Sequence, residues 1–146
     1  MLDTTVYIDA QKGRLPADLA ARIAGAAITH CAVALSEIAT SIGLLDPTHP
    51  GTPAIRAVLT ETLSRASPER TAAPTHNAWV EAALMSGILA RTQGLPKEDR
   101  RKMLNDALIF LCAGETGAVL VSANKKDIDL LLRLKPTVQV VLYDKI

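Results

Sequence analysis

The sequence predicts an α/β protein: a three-layer α/β/α sandwich around a central parallel sheet of about four to five strands. Three observations support this class. Short, continuous apolar runs recur along the chain, as in strands that are buried on both faces. Segments with apolar residues at helical spacing separate these runs. The length of 146 residues and the 49% hydrophobic content are those of one domain that needs no disulfide or structural metal.

The first half of the chain contains two of the predicted strands. Residues 1–8 are apolar and β-branched, which favours a strand. Pro16 begins a helical pattern. Residues 28–33 predict the second strand, and a helix over about residues 35–45 follows it without a turn signal. Three prolines and a glycine make residues 46–53 the clearest loop of the chain.

The second half predicts mainly helices. Apolar spacing favours helices over about residues 53–65 and 75–92, which form a helical hairpin inserted in a single domain, 1–146. A third helix begins at Pro96 and runs to about residue 113. Residues 118–121 then predict a strand, 124–134 a helix, and 138–142 the last strand.

Polar residues follow or flank the predicted strands. Asp3 lies on the first strand, Glu37 opens the helix after the second, Asp106 precedes the third, and Asn124 and Asp127 follow it. Ligands of a parallel sheet gather at the carboxyl ends of its strands, so we expect these side chains to converge. Oxygen ligands without a Cys or His cluster suit Mg²⁺ or Mn²⁺ better than zinc. The pattern predicts a site that activates water and neutralises a phosphate.

Each of these acids also has a purely structural interpretation. Asn124 and Asp127 have the spacing of a helix N-cap and its third residue. Glu37 lies where a helix dipole favours an acid. Asp106 is harder to explain in this way, since it lies beside the apolar face of its helix, where an unpaired carboxylate is costly. Asp3 is the least expected, because strands disfavour aspartate.

The charges predict a local rather than a global affinity for nucleic acid. The chain has 16 basic and 15 acidic residues, so a partner must be held by a patch. The basic residues that precede or flank the acids are candidates for RNA binding: Arg100, Arg101, Lys102, Lys125 and Lys126, with Arg91 and Lys97 nearby. A solvated helix face is the alternative interpretation. Aromatic residues, at 3%, are too few for the base-stacking platforms of many single-strand binding modules.

Other features narrow the class of protein. Cys31 and Cys112 each lie in an apolar run and are interpreted as core thiols, with a bridge or a nucleophile as the less favoured alternatives. The longest apolar stretch, residues 107–113, is far too short for a membrane span, and no secretory leader precedes it. We expect a cytoplasmic protein. The sequence has no glycine-rich phosphate loop, and Thr5 stands two residues after Asp3, where an aspartyl phosphatase would carry its second aspartate.

Three segments carry a resemblance to a known family. MLDTTVYID is similar to the opening of PIN-domain proteins, and VALSEI resembles the segment that carries their second acid. NDALIFLCAGETGAVLVSANKKDID resembles their aspartate-led helix, turn, strand and following helix start. The length and the helical hairpin look most like the VapC toxins of bacterial toxin and antitoxin pairs. The family implies that residues 5–10 turn into a helix, and we adopt that expectation over the β propensity.

The resemblance implies a metal-dependent ribonuclease that uses Mg²⁺ or Mn²⁺. Asp3, Glu37 and Asp106 would be the core acids and Asp127 the fourth, with Thr4 or Thr5 supporting them by hydroxyl contacts. Many relatives carry an aspartate where this chain has Asn124, which weakens the case for a second metal ion. A cognate antitoxin, an RNA substrate and a homodimer are the implied partners.

Two other classes of function remain open. One is a protein or RNA interaction module whose metal site has decayed, with Asn124 as a sign of that loss. The other is a nuclease that acts on structured DNA, which is disfavoured because the chain lacks long insertions to shape a channel.

Overall fold

Helices dominate this fold. The computed structural model describes all 146 residues, of which 62% are helical. The seven α-helices are α1 (Thr4–Gln11), α2 (Ala17–Ala24), α3 (Ala32–Gly43), α4 (Thr52–Ser64), α5 (His76–Thr92), α6 (Arg100–Thr116) and α7 (Lys125–Leu134). The strands are two or three residues long: β1 (His30–Cys31), β2 (Thr71–Ala72), β3 (Leu120–Ser122) and β4 (Val140–Leu142).

The predicted central sheet of four to five strands is wrong. The strands form two separate parallel pairs: β1 pairs with β2, and β3 pairs with β4. The N-terminal residues add one isolated parallel bridge, between Leu2 and Val121. A two-stranded pair has no sheet face large enough to define a layer, so helix packing organises the molecule instead.

The predicted strands are too long because helices begin directly behind the extended residues. Asp3 accepts a hydrogen bond from the backbone N–H of Thr4 at 2.8 Å and is the N-cap of α1. The family-based expectation of a helix over residues 5–10 is therefore confirmed, and the strand over residues 1–8 is wrong. Similarly, α3 begins at Ala32, directly after β1. The helices predicted over 53–65, 75–92 and 124–134 are confirmed as α4, α5 and α7 within one residue at each end.

Helix α6 is the centre of the core. All seven residues from Ala107 to Ala113 are buried, and α5, α3 and α7 pack against this helix. An all-round apolar surface is typical of a helix that is enclosed by its neighbours. Cys112 on α6 and Cys31 on β1 are buried and free, which confirms their interpretation as core thiols. None of the helices combines the length and the apolar character that crossing a membrane requires.

A buried aspartate joins α1 to the C-terminal residues. Asp9 is fully buried, forms an ion pair with Arg14 at 3.0 Å and lies 3.4 Å from Nζ of Lys145. Tyr143 donates its hydroxyl to the same carboxylate at 2.9 Å. Since a buried carboxylate is stable only when it is paired, this cluster holds the segment after β4 against α1.

Candidate acidic site

The site is built around the carboxylate of Asp3, which is only 4% exposed. Its Oδ1 accepts the Thr4 N–H described above. Its Oδ2 accepts the hydroxyl of Thr5 at 2.7 Å and the hydroxyl of Ser122 at 2.6 Å. These donors satisfy a carboxylate that would otherwise be costly to bury, and they join the start of α1 to the end of β3.

The end of β3 is held by two further hydrogen bonds. The backbone N–H of Asn124 donates to Oγ of Ser122 at 2.9 Å. The backbone N–H of Ala123 donates to Oγ1 of Thr5 at 3.2 Å. Thr5 therefore supports the site by hydroxyl contacts to both the acid and the backbone.

Asn124 links two of the predicted acids. Its Nδ2 donates to Oδ2 of Asp106 at 3.1 Å and to Oδ2 of Asp127 at 3.0 Å. Asn124 occupies the N-cap position of α7, but its side chain makes no capping hydrogen bond. The side chain therefore does not serve as a helix cap; it holds the carboxylates of α6 and α7 together.

Lys102 provides the positive charge of this cluster. Its Nζ lies 3.3 Å from Oδ2 of Asp106, one turn along α6, and forms a closer ion pair with Oδ2 of Asp127. No other Lys or Arg forms an ion pair with Asp3, Glu37, Asp106 or Asp127. Asp106 and Asp127 thus share one cation, and Asp3 and Glu37 have none in ion-pair contact.

Burial and the neighbouring charges shift the pKa values of Asp106 and Asp127 in opposite directions. Burial raises the pKa of Asp106 to about 7; the Lys102 ammonium opposes the rise, and the charges of Asp3 and Asp127 add to it. Burial acts in the same direction on Asp127, but hydrogen bonds from Lys102 and Asn124 outweigh it and lower the pKa of that carboxyl. Of these two carboxyls, Asp106 is therefore the one that holds its proton more strongly.

Glu37 joins the network from α3. Thr4 donates its hydroxyl to Oε2 of Glu37, and Asn105 donates its Nδ2 to Oε1 at 2.8 Å. Thr4 also donates its backbone N–H to Asp3, so it connects Glu37 to the central carboxylate. Glu37 and Asn105 line a cleft of about 780 Å³, whose wall also contains Lys102 and Trp79.

The predicted basic residues lie in three places. Arg100 and Arg101 line a groove of about 680 Å³ between α5 and α6, together with Arg91. Lys102 contacts Asp106 and Asp127. Lys125 forms an ion pair with Asp144 at 2.7 Å, and Lys126 is exposed and forms no ion pair.

Two residues of the network were not predicted as site residues. Ser122 is a fully buried polar residue at the end of an apolar run, and that position is the signal that could have identified it. Asn105 directly precedes Asp106 and points to Glu37 instead. Nothing in its local sequence indicates a partner on α3.

Two of the carboxylates fit a divalent metal ion. No three His, Cys, Asp or Glu side chains are arranged as a ready metal-binding cluster. Asp106 and Asp127 nevertheless direct one oxygen each toward the same ammonium and the same amide. Carboxylate oxygens are the donors that Mg²⁺ and Mn²⁺ prefer. The pair therefore has the donor chemistry for such a cation, with the Lys102 ammonium now in contact with both oxygens.

Comparisons of the chain with protein-family models, with curated proteins and with solved structures find no match.

Proposed function

We propose that this protein is a metal-dependent endoribonuclease that hydrolyses RNA phosphodiester bonds. One observation carries the proposal: Asp3, Glu37, Asp106 and Asp127 come from four separate segments and form one hydrogen-bonded network with a single cation. An excess of negative charge in a partly buried site calls for further positive charge. A purely structural network would be expected to neutralise its acids.

Each residue of the network would have a separate role in such a site. Asp106 and Asp127 would hold the metal ion, with Asp3 as the third acid, and Asn124 sets the distance between the first two. A bound Mg²⁺ or Mn²⁺ would supply a water of lowered pKa and would stabilise charge on the phosphate. Glu37 lines the cleft and would accept a proton there.

The basic groove and the cleft support RNA as the substrate. Arg101 lines both cavities, so the groove with Arg91 and Arg100 adjoins the cleft that contains Glu37. Guanidinium groups suit phosphate oxygens. Trp79 in the cleft wall offers one ring on which an unpaired base could stack. With so few aromatic residues, the backbone contacts would dominate.

The resemblance to VapC proteins supports a role as the toxin of a toxin and antitoxin pair, acting by cleaving RNA that translation needs. The cognate antitoxin would then be the protein partner. Its blocking contact would have to cover the cleft that Glu37 and Lys102 line and the acids beside it, because that is where the proposed chemistry takes place.

A homodimer is part of the same proposal, and the outer face of α5 supports it. Val80, Leu84 and Ile88 lie one turn apart on this face and are 49%, 63% and 41% exposed. The inner face is also apolar, with Met85 and Leu89 buried. Helices that are apolar on both faces are usually covered on both, and a second copy would cover this one.

The test is RNA cleavage by the purified protein. We expect cleavage with Mg²⁺ or Mn²⁺, none with EDTA, and a loss of at least about 100-fold in Asp106→Asn. Asp129→Asn is the matched control, because Asp129 is an exposed acid on α7. Cleavage that survives EDTA or Asp106→Asn would contradict the carboxylate mechanism.

A second candidate function is an interaction module in which the metal site has been lost. The observation that favours it is that Lys102 and Asn124 already bind Oδ2 of Asp106 and Oδ2 of Asp127. If this function is correct, the protein will bind RNA or another protein but will not cleave RNA at any metal concentration. The measurement uses protein from which any antitoxin has been removed.

A further inference from the structure

Lys102 contacts two carboxylate oxygens of the kind that a divalent metal ion binds. Its ammonium contacts Oδ2 of Asp106 and Oδ2 of Asp127, the two oxygens that also accept the amide of Asn124. These oxygens lie on different helices, α6 and α7. The lysine is therefore the bridge that keeps two negatively charged groups together.

The bridge has a clear electrostatic reason. Asp106 is buried and Asp127 is half-buried, and neither has another cation in ion-pair contact. Removing the one cation from a buried pair of carboxylates leaves their repulsion uncompensated. A divalent cation and an ammonium group compete for these oxygens, because the two positive charges repel each other at contact distance.

The Lys102 side chain can also adopt a second position, in the cleft. Its side chain is 58% exposed, and it lines the cleft together with Glu37 and Arg101. A long, flexible lysine side chain can leave the carboxylates for the cleft without a change in the backbone. In the cleft its ammonium would face the space in which a phosphate of the substrate would lie.

We propose that Lys102 is the built-in counter-cation of the acidic site, and that its ammonium and a divalent metal ion bind Asp106 and Asp127 in mutually exclusive states. This inference rests on the proposed function, which assigns a metal ion to these acids. In the metal-free state Lys102 offsets part of the negative charge of Asp106 and Asp127 and stabilises the site. With a metal ion on these acids, the ammonium would lie in the cleft, where it would contact a phosphate. The apparent metal affinity is lowered by the stability of the lysine-bound state.

The test is Mn²⁺ binding to the full chain, measured by titration calorimetry without RNA. We expect Lys102→Met to bind Mn²⁺ about 10-fold more tightly than the wild-type chain, a difference of about 1.4 kcal/mol. Lys135→Met is the matched control, since Lys135 forms an ion pair with Glu81 at 2.6 Å and contacts none of the acids of the site. Its Mn²⁺ affinity should equal that of the wild type.

Thermal unfolding provides the second readout. Without metal, Lys102→Met should melt at a lower temperature than the wild type, and Mn²⁺ should raise its melting temperature by more. Lys102→Gln should shift both measurements in the same direction, and it replaces the Met variant if that chain does not fold.

The outcomes separate this inference from the proposed function. If the wild type binds Mn²⁺ and the Lys102 variants bind it no more tightly, the inference is overturned and the metal site stands. If neither the wild type nor any Lys102 variant binds Mn²⁺, the inference and the metal-dependent function fail together.

Discussion

Ser122 donates its hydroxyl to Oδ2 of Asp3 at 2.6 Å, although 119 positions separate the two residues in the chain. Ser122 is fully buried, and Asp3 is nearly so. The contact ties the N-cap of α1 to the end of β3. Because Asn124 also donates its backbone N–H to Ser122, this one hydroxyl connects the central carboxylate to the residue that holds Asp106 and Asp127.

Ser122→Ala should destabilise the protein. The change removes a buried donor from an aspartate and leaves the N–H of Asn124 without its acceptor, so we expect a loss of about 1–3 kcal/mol in the free energy of unfolding. Urea denaturation measures this loss. Ser64→Ala is the control, since Ser64 is exposed and bonds only to its own helix; its effect should stay within about 0.5 kcal/mol. Equal effects would show that the hydroxyl contact contributes little.

The stability of the metal-free protein should depend on Asp106 between about pH 4 and pH 7. Burial raises the pKa of this carboxyl from 3.8 to about 7, so the folded state binds a proton that the unfolded state has lost. That contribution is fully present below the unfolded pKa and disappears as the pH rises through the folded one.

The wild type should therefore lose stability relative to Asp106→Asn across this range, with a slope of at most about 1.4 kcal/mol per pH unit. Unfolding curves in EDTA at several pH values measure the difference. Asp129→Asn should keep the pH profile of the wild type. Parallel profiles of the wild type and Asp106→Asn would exclude the raised pKa.

Leu84→Glu should convert the proposed dimer to a monomer. Leu84 is 63% exposed at the centre of the apolar face of α5, and a buried glutamate opposite its own copy would place two like charges in contact. Light scattering after size-exclusion chromatography measures the mass. The control is Leu44→Glu, because Leu44 is 81% exposed at the end of α3. A wild-type chain that is monomeric at all concentrations would contradict the prediction.

Replacing Arg100 and Arg101 by alanine should weaken RNA binding and flatten its salt dependence. Both residues line the groove beside the cleft. The slope of log affinity against log salt should fall by about 0.7 for each phosphate that the variant no longer neutralises. Binding is measured with Asp106→Asn as the background. Alanines at Lys12, which follows α1, and at Arg22 on α2 remove the same charge from exposed positions and should leave the slope unchanged.

The sequence predicted the helices well and the sheet poorly. Apolar spacing over ten or more residues is a repeated signal, so α4, α5 and α7 were located within one residue at each end. The apolar runs at 28–33 and 118–121 look like strands of a layer, but pairing depends on partners elsewhere in the chain. The run at residues 1–8 is interrupted because Asp3 caps a helix, a role that depends on its own side-chain hydrogen bond.

The candidate site was also predicted only in part. Residue type and position were sufficient to select Asp3, Glu37, Asp106 and Asp127, because acids beside apolar runs are costly unless they have a role. Their partners were not predictable. Lys102 was interpreted as an RNA contact, which stays a prediction, and only the packing of α6 against α7 brings its ammonium to two carboxylates.

The sequence by itself determined where α4, α5 and α7 lie and which acids are out of place in apolar surroundings, because both properties follow from local spacing and chemistry. Tertiary structure alone decided that the strands form two small pairs and that Asp106 and Asp127 share one lysine. Strand pairing and charge compensation are contacts between residues far apart in the chain, such as Leu2 with Val121 and Asp9 with Lys145, and their energy depends on distances that no local pattern contains.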